Sequence, residues 1–124
     1  MPITTLESSI ALAEAAEDAG MDGAWIRIHH FEQNTSSPFP LLAAMGARTS
    51  RVELGTGVIN MRYENPLYMA EAAATTDLIS GGRLQLGLSR GSPEPAADGP
   101  GTFGYPLPEG KLPAEDAAER IAQF

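Results

Sequence analysis

The 124-residue chain has no cysteine, one lysine and one tryptophan, and no stretch approaches the roughly 18 consecutive apolar residues that a membrane span needs. Without cysteine there is no disulfide framework, no thiolate metal site and no cysteine nucleophile. With Lys111 as the single lysine and the arginines scattered, a surface that neutralises a polyanion is not expected, so nucleic acid is not an expected partner. The first residues, Met1-Pro2-Ile3-Thr4-Thr5, supply neither a basic segment nor an apolar one. No secretory leader and no membrane anchorage are therefore expected, and the expected location is the cytoplasm.

What the chain does contain is ample apolar material and excess acid. Hydrophobic residues make up 43%, which is too much for a disordered chain. Sixteen acidic residues against 8 basic give a net charge of −8, which favours solubility. The length is that of one ordinary domain, able to bury roughly two-thirds of its extended surface.

Local signals divide the chain into alternating helices and strands. Thr4-Thr5-Leu6-Glu7 reads as a capping box with Thr4 as N-cap. Ile10, Ala13, Ala16 and Ala19 follow as a helical stripe, and Gly20 is the expected C-cap. A strand is expected over 23–28, ending in His29-His30-Phe31, and a loop over 32–37. Ser37-Pro38 and Asn65-Pro66 each place a capping residue before a proline at the first helical position. Helices are expected after both, with strands over 52–59 and 83–88 and a stop at Ser80-Gly81-Gly82.

Strand starts near positions 24, 52 and 83 define a repeat of about thirty residues, the length of a βαβ unit. Such alternation implies parallel pairing with right-handed crossovers. Both a doubly wound sheet and a (β/α)8 barrel fit the spacing. A whole barrel takes about 250 residues, so this chain holds about half of one. Residues 91–113 are dominated by Gly and Pro and are expected to form a long active-face loop without regular structure. A last helix starting near Pro113 reaches Phe124 with no capping signal, as a truncated element would.

The residues that could carry chemistry gather at expected strand ends. His29 and His30 should diverge, one toward a pocket and one under a loop, because strand side chains alternate. A pocket histidine can act as acid, base or hydrogen-bond donor. Ser89-Arg90-Gly91 offers a hydroxyl, a forked cation suited to phosphate and a close-approach glycine; a surface arginine paired with an acid is the plainer alternative. Gly55-Thr56-Gly57-Val58 suggests close approach of a ligand or another backbone, or simply a bend. No G-x-G-x-x-G follows, so a dinucleotide fingerprint is not supported. Trp25, Met45, Met61 and Met69 read as core. Arg27, a charge within an apolar strand, should face a polar barrel interior, pair with Glu53 on the next strand, or sit where the barrel is open.

Taken in order, these segments resemble the bacterial luciferase-like flavin-dependent monooxygenases. The resemblance is carried by Trp25-Ile26-Arg27-Ile28-His29-His30-Phe31, Leu41-Leu42-Ala43-Ala44, Ala47-Arg48-Thr49 and Leu54-Gly55-Thr56-Gly57-Val58. Asn65-Pro66, the run from Ala72 to Gly87, Ser89-Arg90-Gly91 and Phe103-Gly104 continue it. It implies an α/β fold, a partial (β/α)8 TIM barrel comprising residues 1–124, with the barrel's strands two to four, helices one to three and the start of helix four.

By that resemblance reduced FMN, or a deazaflavin, is the cofactor, and NAD(P)H is a candidate reductant. The implied reaction is oxygenation of an aldehyde, ketone, alkane or sulfonate by reduced flavin and O2. His29 matches the histidine used in acid/base work. Thr56, Gly57, Val58, Ser89 and Arg90 match cofactor-binding positions: Gly57-Val58 where members carry a non-proline cis peptide, Ser89 near the reactive ring edge, Arg90 at the flavin phosphate. The 91–113 loop matches a lid. Ile28 stands where members have glutamate. Implied partners are a small-molecule substrate, O2, a flavin reductase, and a second copy or complementary barrel half covering the open sheet. A fragment of a larger enzyme is expected, with weak or no FMN binding alone; the alternative is a truncated, non-catalytic assembly subunit.

Overall fold

Helix and strand signals of this kind produce a layered α/β unit. The computed structural model of the chain describes residues 3–32, 35–91 and 98–124. In order these form α1 (Ile3–Asp18), β1 (Gly23–Ile26), α2 (Pro38–Arg48), β2 (Glu53–Asn60), a 3-10 turn (Met61–Tyr63) and α3 (Pro66–Ser80). Then follow β3 (Leu84–Ser89), the short α4 (Gly99–Thr102) and α5 (Pro113–Gln123). The strands lie in the order β1-β2-β3 and every pairing is parallel.

The terminating signals act as their chemistry requires. After α1, Gly20 takes φ 79°, and Met21 N–H bonds the Ala16 carbonyl at 2.9 Å. Asn65 Oδ1 accepts from the amides of Leu67 and Tyr68, each at 3.1 Å, at the start of α3. Gly81 closes α3 in the left-handed region. Two expectations shift. Helix α1 is already helical at Ile3, so Thr4 lies inside it rather than capping it. Ser37 makes no side-chain cap to α2, whose start is set by Pro38 at its first position.

One face of the sheet packs on the helices. Leu42, Val52, Leu54, Ile59 and Met61 are wholly or almost wholly buried there, with Ile26, Met45 and Met69 beside them. Each fully buried branched side chain of this size contributes roughly 1.5–3 kcal/mol. Met45, Met61 and Met69 fill the gaps expected of them.

Trp25 does not. It is 53% exposed and lies against Gly23 and Gly55, where a side-chain carbon at either position would overlap its indole. The reason is the pleat: Ile26 takes the helix-covered face, so Trp25 falls on the other one, which in a barrel faces the interior. Arg27 is not paired with Glu53 either. The register sets Glu53 opposite Gly23, four residues before Arg27, and at about 3.3 Å per residue the two lie at opposite ends of the sheet. Glu53 instead accepts from Gln85 Nε2 at 3.5 Å.

The loops entering β2 and β3 are tied by two side chains. The Glu17 carboxylate accepts the amides of Ser50, Arg51 and Val52 at 2.6–3.0 Å. Those backbone donors, Val52 first, then Arg51 and Ser50, hold its pKa down to about 2. Arg83 spreads its guanidinium over Val52 O, Gly46 O, Thr49 O and Thr49 Oγ1 at 2.8–2.9 Å, and Nε donates to Ser80 O.

The expected 91–113 loop is not wholly irregular. Residues 92–97 lie outside the described residues, but α4 forms just after them, with Gly99 against Tyr63. Farther along, Glu115 reaches back to the amide of Leu112 at 3.0 Å and starts α5.

Candidate active site

Parallel strands deliver their carboxyl ends to one side of a sheet, and here all three end at a shared cavity of about 170 Å³. Arg27, Ile28 and His29 reach it from the end of β1; Gly57, Val58 and Asn60 come from β2; Ser89 and Gly91 come from β3 and its exit.

The middle of this wall is unusual backbone. The Gly57-Val58 peptide is cis, and the β2–β3 register breaks between Thr56 and Ile59. Val58 is 44% exposed, while the position of a Gly57 side chain has only Ile26 O nearby, at 3.9 Å. The result is a flat, partly apolar surface with nothing projecting from Gly57. Beside it, Ser89 Oγ donates to Ile59 O at 3.3 Å and accepts from Gly91 N–H at 3.1 Å. Gly91 sits at φ 80° against the Asn60 carboxamide, so a larger residue there would meet both strain and collision. Asn60 Oδ1 accepts the Arg62 amide at 3.1 Å, which turns the chain into the 3-10 segment.

Of the residues expected at a site, the fold brings His29, Gly57, Val58 and Ser89 together on this wall. Thr56 lies behind it. Its buried hydroxyl both donates to Gly87 O and accepts from Gly87 N–H, each at 3.0 Å, and so stitches β2 to β3. Arg90 is exposed beside the cavity and does not line it. Asn60 was not singled out from the sequence, although its place at a strand's carboxyl end, like that of Ser89, is the signal that finds it.

The two histidines do diverge. His29 joins the cavity, and its amide bonds Thr35 O at 3.3 Å. His30 stacks on Tyr63 at 4.1 Å and 18°, with Phe103 edge-on at 5.2 Å and the Glu64 carboxylate 3.9 Å away. Phe31, at φ 62°, completes the aromatic cluster against Phe103. Burial pushes the Glu64 carboxyl above the usual carboxylate range. Buried Asp116 holds Arg120 at 3.2 Å and Arg62 at 4.0 Å, and Arg120 donates to Glu64 O at 2.7 Å. These contacts fasten α5 to the turn that carries Asn60 and Tyr63.

A parallel βα sheet with its cavity at the carboxyl ends of the strands is the arrangement found in a segment of a (β/α)8 barrel. Comparison with known proteins names the group. The profile of the luciferase-like monooxygenases matches residues 2–123, and the chain belongs to that family. It is 38% identical over 88 residues to the oxygenase component of a flavin-dependent trigonelline monooxygenase from Acinetobacter baylyi, covering 69% of this chain and 24% of that protein. It is also 38% identical over 89 residues to an F420-dependent glucose-6-phosphate dehydrogenase from Nocardia farcinica, covering 66% of this chain and 26% of that one. A monooxygenase crystal structure from Streptomyces bottropensis superposes with a TM-score of 0.75 at 31% identity, over 95% of this chain and 36% of the other. The chain thus spans about a quarter of the length of the curated relatives it matches.

Proposed function

We propose that this chain supplies the flavin-facing wall of a flavin-dependent monooxygenase, as a fragment of the full enzyme, with reduced FMN as the cofactor. The observation that carries the reading is the wall itself: His29, Gly57, Val58 and Ser89 brought together at the strand ends. A planar aromatic ring fits such a surface, because Gly57 projects nothing into the space and Val58 offers apolar contact. Gly57, Val58 and Ser89 would hold the ring, with Thr56 keeping the wall in register from behind. Arg90, exposed at the rim, would meet the phosphate. When bound, reduced flavin supplies the electrons that activate O2.

The protein's own part is positional and acid–base. His29 stands on the wall where it can give or take a proton at the substrate oxygen. Val58 keeps water from the reacting region. Ile28 stands where the family resemblance implies a carboxylate, and the backbone at His29 is held by its amide's bond to Thr35 O. The substrate is a small organic molecule and O2 is the co-substrate. The relative described as an oxygenase component supports delivery of reduced flavin by a separate reductase, rather than direct use of NAD(P)H. The F420-dependent relative supports a deazaflavin as the alternative cofactor on the same wall. The exposed sheet face around Trp25 favours a complementary barrel half or a second copy as partner.

The test is a fluorescence titration of the chain with FMN. Binding weaker than about 1 μM is expected, since only part of the cofactor's surroundings is present. Val58→Glu, which places a charge on the wall, should abolish it. FMN binding that ignores Val58→Glu overturns the assignment of this wall.

A further inference from the structure

The cavity carries a cation that the flavin-binding reading does not use. Arg27 lies two residues before His29, and the buried side chains of Ile26 and Ile28 on either side take the helix-covered face. Arg27 and His29 both lie just past the end of β1, and both line the cavity. This is a chain with 16 acidic and 8 basic residues, so cations are outnumbered by available carboxylates. The other cations are engaged accordingly. Arg48 pairs with Glu14, Lys111 with Glu119, and Arg62 and Arg120 with Asp116; Arg51 and Arg83 bond backbone carbonyls. Among the described residues, the exceptions are Arg27 and Arg90, and both stand at the carboxyl ends of the strands.

We infer that Arg27 is the recognition site for an anionic oxygen group, a carboxylate or sulfonate, on the organic substrate. This deepens the proposed function and rests on the same cavity being the active site. A guanidinium presents a planar fork that matches two oxygens of such a group, and Gly57 beside it contributes no side chain to occupy the space. Arg27 and His29, on the same short segment, would hold the anion and the proton-transfer group at a fixed separation. The phosphate of the cofactor is the other source of the same chemistry. Arg90, outside the cavity wall, is placed for that phosphate, which leaves Arg27 for the substrate.

Isothermal titration of the full chain at low salt, with benzoate, benzenesulfonate and the neutral benzamide as probes, tests this. The acids should bind the wild type about tenfold or more tightly than the amide, the difference expected for a charge-assisted pair. Arg27→Gln should bring acid and amide to within about twofold of one another, and Arg27→Lys should retain part of the preference. Arg27 is exposed, and an unchanged near-ultraviolet circular dichroism signal from Trp25 will show that the variants fold. FMN and riboflavin form the cofactor arm: their affinity ratio should fall in Arg90→Gln and stay unchanged in Arg27→Gln. The proposal is overturned if the wild type binds benzoate no better than benzamide, if Arg27→Gln keeps the preference, or if Arg27→Gln lowers the FMN-to-riboflavin ratio. An intact acid preference alongside FMN binding that ignores Val58→Glu would sink the flavin reading and leave Arg27 as an anion site.

Discussion

The two ends of the sheet use charge in opposite ways. At the amino ends, the Glu17 carboxylate and the Arg83 guanidinium are saturated by backbone groups of the loops they hold. At the carboxyl ends, Arg27 and Arg90 have no protein partner among the described residues, and the Glu64 carboxyl is pressed into an aromatic cluster where ionisation is disfavoured. A loop held by many backbone hydrogen bonds has one geometry and cannot rearrange around a ligand. A cavity edged by uncommitted donors can. Stability and ligand chemistry are thus separated along the strand direction, as parallel barrel architecture allows.

Substitutions can break this contrast from either side. The largest effect is expected for Arg83→Ala, which leaves the carbonyls of Gly46, Thr49 and Val52 without their donor. A loss of about 3 kcal/mol should follow, read from urea unfolding. Arg83→Lys should recover little of it, because an ammonium cannot fork. An unchanged midpoint would show that the amino-end loops do not depend on this residue.

Next comes Gly91→Ala, at about 1–2 kcal/mol from backbone strain alone, with displacement of Asn60 in addition. Unlike Arg83→Ala, it should also weaken ligand binding in the cavity. Loss of stability with binding intact would contradict the close packing of Gly91 on Asn60.

A smaller effect, with a pH signature, is expected at Glu17. Its folded pKa is depressed from 4.5 to about 2, so its stabilisation is present above pH 4.5 and drains away as pH falls toward 2. Glu17→Gln should lower Tm by a few degrees at neutral pH and flatten that acid limb. Parallel acid limbs in variant and wild type would count against the carboxylate's role.

The smallest effect belongs to Glu64, and its sign is reversed. Its raised pKa means the folded chain binds a proton more readily than the unfolded one, so stability falls as pH rises from 4.5 through the raised value. Glu64→Gln should remove this slope and raise stability slightly at neutral pH. Melts from about pH 2 to about pH 7 will show whether the two glutamates slope oppositely.

Much of the fold was legible in local signals. Asn65-Pro66, Gly20 and Gly81 specify helix ends through hydrogen bonds and dihedral angles that involve only near neighbours. The βα period announced parallel pairing, and the ordered motifs pointed to the family and to His29, Gly57, Val58 and Ser89. What misled was face and register. Trp25 looked like core because size and apolarity say nothing about which side of the pleat is covered. The Arg27–Glu53 pairing failed because adjacency of strands does not state which residues stand opposite. Asn60 escaped notice because its role depends on where a strand ends, and Asp116 because one of its partners, Arg62, is distant in sequence.

The amino-acid sequence by itself determined the alternation of strands and helices, the helix ends at Gly20, Asn65 and Gly81, the parallel βα class and the membership in the luciferase-like monooxygenases, since each rests on local chemistry or on ordered motifs. Only the tertiary structure decided that Trp25 lies on the uncovered face, that Thr56 stitches strands rather than lining the cavity, and that Arg27 lines the cavity instead of pairing with Glu53. Those outcomes depend on the register between strands and on which face the helices cover. Both are set by the packing of the whole sheet rather than by any one segment.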